Sequence, residues 1–306
     1  MYHLPVLAKE SIEALDIQLN STIVDATFGG GGHSKLILEE LGTEGQLFGF
    51  DQDADAVKNA ISDPRFTFVQ ANFEYLARFL KLHAVRSVDG ILADLGVSSH
   101  QLDEGERGFS YRYEAALDMR MNQQNERTAA TILNTYTQDA LQDIFSRYGE
   151  VRNAKTLAQA IVAAKSQQSF QTINDLMVTI EPLIKGQRLR YLSQVFQALR
   201  IEVNDEMGVL ERFLKNAMKV LKPGGKLVII SYHSLEDRMV KQFLKTGNNK
   251  GDVQRDFYGQ IFRPFKIITK KAVLPSDEEV KVNSRARSAK MRVGERLELS
   301  EENFDW

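Results

Sequence analysis

The sequence predicts a doubly wound α/β domain interrupted by an all-helical insert. Short β-type runs alternate with helical patterns over the first hundred residues, stop near residue 128 and resume near residue 224. Strands separated by helices specify a parallel sheet with helices on both faces. In addition, DATFGGGGHS (25–34) sets four consecutive glycines between an apolar run and the first turn of a helix. Glycine at the end of a strand lets the chain turn tightly and lets a ligand approach the main chain.

Taken in order, strands are expected at 22–28 (TIVDATF), 46–51 (QLFGFD), 66–70 (FTFVQ) and 89–95 (DGILADL), with helical stretches at 33–41, 54–61 and 73–82 between them. From about 128 to 222 only helical spacing is found. TINDLMVTI opens with Thr172 and Asp175 at capping-box spacing and puts Ile173, Leu176, Met177 and Ile180 on one stripe. TQDALQDIF does the same with Leu141, Ile144 and Phe145. At 224–231, GGKLVIIS restores a buried strand, and LEDRMVKQFLK supplies the next helix. The expected organisation is a discontinuous α/β domain over 1–110 and 206–306, with a helical domain over 112–205 inserted into it.

Composition narrows the classes. A hydrophobic content of 43% and a charged content of 26% are those of an ordinary globular chain. There are no cysteines, which excludes disulfides and thiolate metal sites. The five histidines show no metal-ligand spacing, so no metal is expected. MYHLPVLAKESIEALD reads as neither signal nor transit peptide, and no apolar run approaches the roughly 18 residues of a membrane span. A cytoplasmic protein without membrane contact is the expectation. The net charge is −2, yet KVNSRARSAKMRVGER (281–296) carries six cations against the single acid Glu295. Such a run is either a solvated surface or a polyanion contact.

Glycine-rich turns after a first strand serve nicotinamide cofactors, flavins and S-adenosylmethionine alike. Three features favour the last. Asp25 lies near the carboxyl end of the first strand, where a carboxylate would repel a pyrophosphate but attract a sulfonium and an ammonium. Asp51 ends QLFGFD, where an acid accepts hydrogen bonds from ribose hydroxyls in either kind of site. VLKPGGKLVIIS (220–231) resembles the entry to the fifth strand of class I methyltransferases.

Further motifs carry the resemblance to a family. TFGGGGHS, DLGVSSHQLD, ERGFSY, LDMRM, VFQALRIEVN, ISYHSLEDR and SRARSAKMR follow one another from end to end. The chain resembles the bacterial small-subunit ribosomal RNA (cytosine-N4)-methyltransferases, which methylate the exocyclic amine of cytidine 1402 in 16S RNA. The resemblance implies a Rossmann-like class I methyltransferase sheet, S-adenosylmethionine as cofactor, and 16S rRNA in the small subunit or its late precursor as partner. It also implies cofactor contacts at Gly31, Gly32, His33, Asp51, Phe73, Asp94 and Gln101.

For the chemistry, Asp94 of ADLGVSSHQ occupies the place where amino-methyltransferases of DNA carry an Asp or Asn followed by two prolines and an aromatic. Here Leu95, Gly96 and Val97 replace that element, so the stacking aromatic must come from elsewhere. Phe109, Tyr111 and Tyr232 are the candidates, with Ser98 and His233 as further polar contacts. Arg107, Arg120, Arg285, Arg287, Lys290 and Arg292 are candidates for RNA phosphates, with Phe109 beside them. Each has a blander reading: His33 as a helix N-terminal residue, Phe73 and the aromatics as core, the cations as surface. Ser231, His233 and Asp237 suggest a hydrolase only superficially, since the nucleophile-elbow pattern is absent. The rival functions are a nicotinamide oxidoreductase on the same fold and a non-catalytic RNA-binding assembly factor.

Overall fold

The structure is a computed structural model and describes residues 5–98, 101, 104–255, 259 and 261–298. The chain divides into two compact units, one formed by Met1–Gly96 with Gly208–Trp306 and the other by Val97–Met207. The first division thus lies ahead of the ERGFSY motif, which belongs to the second unit.

In the first unit, α1 (Ala8–Leu15) precedes β1 (Thr22–Asp25), α2 (Gly32–Glu40), β2 (Gln46–Asp51), β3 (Phe66–Gln70), α3 (Leu76–Leu82) and β4 (Val88–Asp94). The sheet has seven strands in the order β3-β2-β1-β4-β5-β7-β6, completed by β5 (Leu221–Ser231), β6 (Phe265–Ile267) and β7 (Lys290–Arg296). β1 to β5 run parallel, whereas β7 is antiparallel to both β5 and β6. β5 begins before the Pro-Gly-Gly turn because Leu221 already pairs with Val88; the register then shifts, and pairing resumes at Gly90 with Lys226. A Cβ on Gly225 would lie 2.9 Å from the carbonyl oxygens of Asp89 and Lys222, so the bulge requires glycine there.

Alternation along each strand builds two apolar layers. Ile23, Leu47, Leu92 and Val228 face one core with Leu15 of α1 and Ile37 of α2. Val24, Phe48, Ile91 and Leu227 face the other with Leu76 of α3 and Val240 and Phe243 of α10 (Ser234–Thr246). Phe213 and Leu214 of the helix before β5 join that second layer. The same alternation governs β7: Met291 and Val293 enter the first core, which turns Arg292 toward the α10 face. There its guanidinium meets Asp237 at 2.5 Å, with side-chain exposures of only 11% and 16% for the pair.

The second unit contains helices α4 (Ala129–Thr135), α5 (Gln138–Arg147), α6 (Ala154–Lys165), α7 (Ile173–Ile180) and α8 (Arg188–Asn204). Thr128, Thr137 and Thr172 cap three of them by accepting a backbone N–H, and Thr172 forms a reciprocal capping box with Asp175. Leu141, Phe145, Leu157, Leu176, Leu192 and Phe196 form its own core. The remaining helices α9 (Glu206–Val220) and α11 (Asp277–Val282) flank β5 and β7 in sequence.

Candidate active site

The carboxyl ends of β1, β2, β4 and β5 lie side by side because these strands are parallel and adjacent in the sheet. Ligands of open α/β sheets bind at such ends. After β1 the chain turns through Gly29 and Gly31, both at positive φ (52° and 74°), into α2. A Cβ on Gly31 would sit 3.0 Å from the Phe28 ring, so a side chain there would be strained in backbone and crowded in space.

The ends of β1, β2 and β4 each contribute an acid. Asp25 is fully buried and accepts from the Ser34 hydroxyl at 2.6 Å and from the Thr27 N–H at 3.2 Å. Asp51 accepts the N–H of Gly29 and of Asp53, each at 2.8 Å, so β2 holds the glycine turn in place. Asp94 accepts the Tyr232 hydroxyl at 2.7 Å, while its own N–H donates to the Thr27 hydroxyl at 2.7 Å. Burial raises all three carboxyls: Asp51 and Asp94 each to about 6, and Asp25 upward as well. For Asp94, the His33 ring and the Tyr232 hydrogen bond oppose the rise, and the charges of Asp25 and Glu236 add to it. The Tyr232 hydroxyl is itself pushed upward by burial and by Asp94, so it remains a proton donor.

His33 lies in the first turn of α2, buried, with Nε2 donating to the Val6 carbonyl at 3.0 Å. Phe73 opens a short 3₁₀ turn after β3 and packs edge-on against Phe213 with ring centres 4.9 Å apart. Asn72 beside it donates to Gln52 at 2.9 Å, which ties the loops after β3 and β2 together. Strand adjacency therefore brings together Gly31, Asp51, Asp94 and Tyr232, together with Asp25. Asp25 is a site acid that the motif comparison left out, although its place at the end of the first strand was the signal for it.

Several expectations need correction. His233 caps α10: its ring accepts the Glu236 N–H at 3.4 Å, and the Glu236 carboxylate accepts the N–H of Tyr232 at 2.9 Å. Its Nδ1 is therefore used by the cap, while Nε2 lies 3.1 Å from Glu236 Oε1. Arg292 is committed to Asp237, and Lys290 stands 3.9 Å from the same carboxylate, so neither is a simple phosphate contact. Within the second unit, Arg107 is buried and donates to the carbonyls of Arg120 and Met121. Arg120 is paired with Asp118 at 2.7 Å and also donates to the carbonyls of Gln123 and Asn125. These two arginines fasten the loop ahead of α4. Phe109 is buried in the helical core, and half-buried Tyr111 packs edge-on against Phe196. Ser98 and Gln101 hydrogen-bond reciprocally, each N–H to the other's side chain, at 3.1 and 3.2 Å. Arg285 and Arg287 sit in a 3₁₀ turn before β7, with Arg287 exposed.

The sheet order, the glycine turn and the three strand-end acids define a class I S-adenosylmethionine-dependent methyltransferase. The cofactor fits the residues present. One buried and two half-buried carboxylates suit a ligand carrying a sulfonium and an ammonium, and the positive-φ turn at Gly29 and Gly31 sets main chain beside them. The chain belongs to the MraW methylase family, whose family model matches residues 1–297. A ribosomal RNA small subunit methyltransferase H from Parabacteroides distasonis is 52% identical over 298 residues, covering 97% of this chain and 98% of that protein. Proteins of the same name from Bacteroides thetaiotaomicron (52%, covering 96% and 97%) and Phocaeicola vulgatus (53%, covering 97% and 98%) are similarly alike. Among the described residues, no helix is long and apolar enough to cross a membrane.

Proposed function

We propose that this chain methylates the exocyclic N4 amine of cytidine 1402 in 16S rRNA, acting in the cytoplasm on the small subunit or its late precursor. The observation that carries the reading is the Asp94–Tyr232 pair at the ends of β4 and β5, where a half-buried carboxylate is held at 2.7 Å by a phenol.

Bound S-adenosylmethionine supplies an electrophilic methyl group on a sulfonium. Gly31, Gly32 and His33 would hold its methionine end, Asp51 its ribose and Phe73 its adenine, while Asp25 and Asp94 offer negative charge to its cationic groups. The cytosine amine is a poor nucleophile because its lone pair is delocalised into the ring. Transfer of that methyl group to the amine would leave positive charge on its nitrogen, so one amine proton must leave. Asp94 can accept a hydrogen bond from that N–H and steady the developing charge. A carboxyl at about 6 is ionised at neutral pH yet basic enough to take the proton, which then passes to solvent. Tyr232 occupies one Asp94 oxygen and fixes the carboxylate's orientation, leaving the other oxygen for the amine. Its half-buried ring is the stacking candidate of the sheet unit. The base must be single-stranded or flipped to reach such a pocket. The helical unit, with a core of its own, serves substrate recognition.

The test is mass mapping of 16S rRNA from cells with and without the gene for this chain, joined to in vitro methylation of small-subunit particles. N4-methylcytidine at position 1402 should depend on the chain. Its presence without the chain sinks the reading, and particle binding without methyl incorporation would leave only an assembly factor.

A further inference from the structure

We infer that the outward face of α10, together with the β6 edge, is a docking surface for rRNA phosphates, set back along the sheet from the cofactor end. The inference rests on the rRNA reading above and adds residues outside the basic segment 281–296.

Arg238, Lys241 and Lys245 are exposed and spaced three and four apart on α10, so they form one stripe about 10 Å long. Lys270 and Lys271, exposed just beyond β6, bring two more cations to the same side. Lys241, Lys245 and Lys270 line a shallow groove of about 60 Å³ together with the paired Arg292, and Leu244 and Ile267 form its apolar wall. Among the described residues, none of the five side chains forms an ion pair or a side-chain hydrogen bond. The nearby acids are already engaged: Asp237 holds Arg292, Glu236 accepts the N–H of Tyr232, and Glu295 is bound by Lys226 and Lys266. Three unpaired lysines around one groove, with Arg238 and Lys271 next to them in sequence on the same elements, repel one another, and a polyanion relieves that repulsion.

Register gives the distance to the chemistry. Ile267 pairs with Gly294, which pairs with Leu227, and Tyr232 lies five residues further along β5. At about 3.3 Å per residue the Ile267 side of the groove stands about 17 Å back from Tyr232 along the strand, and Arg292, which pairs with Ile229, about 10 Å back. That is a place for nucleotides flanking the target rather than for the target base. Four of the five cations are lysines, separated point charges that suit phosphates rather than base edges.

The test compares wild type with Lys241→Glu/Lys245→Glu/Lys270→Glu and with the milder Lys241→Gln/Lys245→Gln/Lys270→Gln. Affinity for protein-free 16S rRNA and for small-subunit particles is measured over a range of salt, with circular dichroism confirming the fold. Both variants should bind both substrates more weakly, and the slope of log affinity against log salt should fall by about 2 for the glutamine variant. S-adenosylmethionine affinity should match wild type. An unchanged slope overturns the inference. So does lost affinity for particles with unchanged affinity for free rRNA, which would make the partner a ribosomal protein. Binding needs no turnover, so a wild-type chain that failed to methylate would sink the proposed function while the salt slope still judged this surface.

Discussion

Two charged regions of the sheet unit carry opposite lessons. At the ends of β1, β2 and β4, Asp25 is buried and Asp51 and Asp94 half-buried among hydroxyl and N–H donors, and desolvation holds each above the ordinary carboxyl range. In the basic segment the reverse holds. Arg292 is nearly out of water but locked to Asp237, and Arg296 spends its guanidinium on the carbonyls of Met218, Pro264 and Leu297. A buried charge supplied with its counter-charge is architecture. A buried charge supplied only with hydrogen-bond donors is waiting for a cation from outside the chain.

The strongest way to break this contrast is Asp94→Ala. If the carboxylate acts on the amine in the transition state, methyl transfer should fall about a hundredfold or more even at saturating cofactor, a loss of about 2.7 kcal/mol in barrier terms. Should excess S-adenosylmethionine restore the full rate, Asp94 is only a cofactor contact. Asp51→Ala tests the neighbouring strand. Its loss should weaken S-adenosylmethionine binding on the order of tenfold to a hundredfold, since hydrogen bonds to a charged acceptor contribute about 1.5–3 kcal/mol. Calorimetry giving wild-type affinity would remove it from the site.

Arg292→Ala sharpens the other side. Removing one partner of this mostly buried pair should destabilise the fold by about 1–3 kcal/mol in chemical denaturation. Cofactor affinity should stay within twofold of wild type. A variant of unchanged stability with poor RNA binding would reverse the assignment and return Arg292 to the substrate.

What the chain reveals before folding follows the same line. β2 and β3 begin and end where apolar runs meet turn signals, at Gln46–Asp51 and Phe66–Gln70. β1 is shorter than its run because Ala26–Phe28 leave the strand ladder: Ala26 bonds back to Leu92 and Phe28 to Phe50 as the glycine turn starts. β7 was hidden, since Met291 and Val293 alternate with cations and the segment reads as a basic tail. Its ion pair joins residues 55 apart, a separation no local pattern reveals. Tyr232 and Asp94 are 138 residues apart, yet their meeting follows once β4 and β5 are parallel neighbours with both residues at their carboxyl ends. The motif supplied the residues, and topology supplied the contact. For Phe109, Arg107 and Arg120, the motifs suggested a substrate role, and only packing reveals the contacts each makes within its own unit.

The central claim, that the strand-end acids are held for a cationic ligand, is tested most directly by proton release on cofactor binding. In the free protein Asp51 and Asp94 have carboxyls raised from 3.8 to about 6. The folded state therefore binds protons more tightly than the unfolded one, and these groups lower stability as pH rises from about 4 through 6. A cation placed beside them lowers their values again, so protons must leave as it binds. Titration calorimetry with S-adenosylmethionine at pH 6, in two buffers of different ionisation enthalpy, reads that release. The account predicts net release of protons at pH 6, fading toward pH 8, diminished in Asp94→Asn, and kept in Arg292→Ala. Binding with no proton release at pH 6, or with proton uptake, would contradict it.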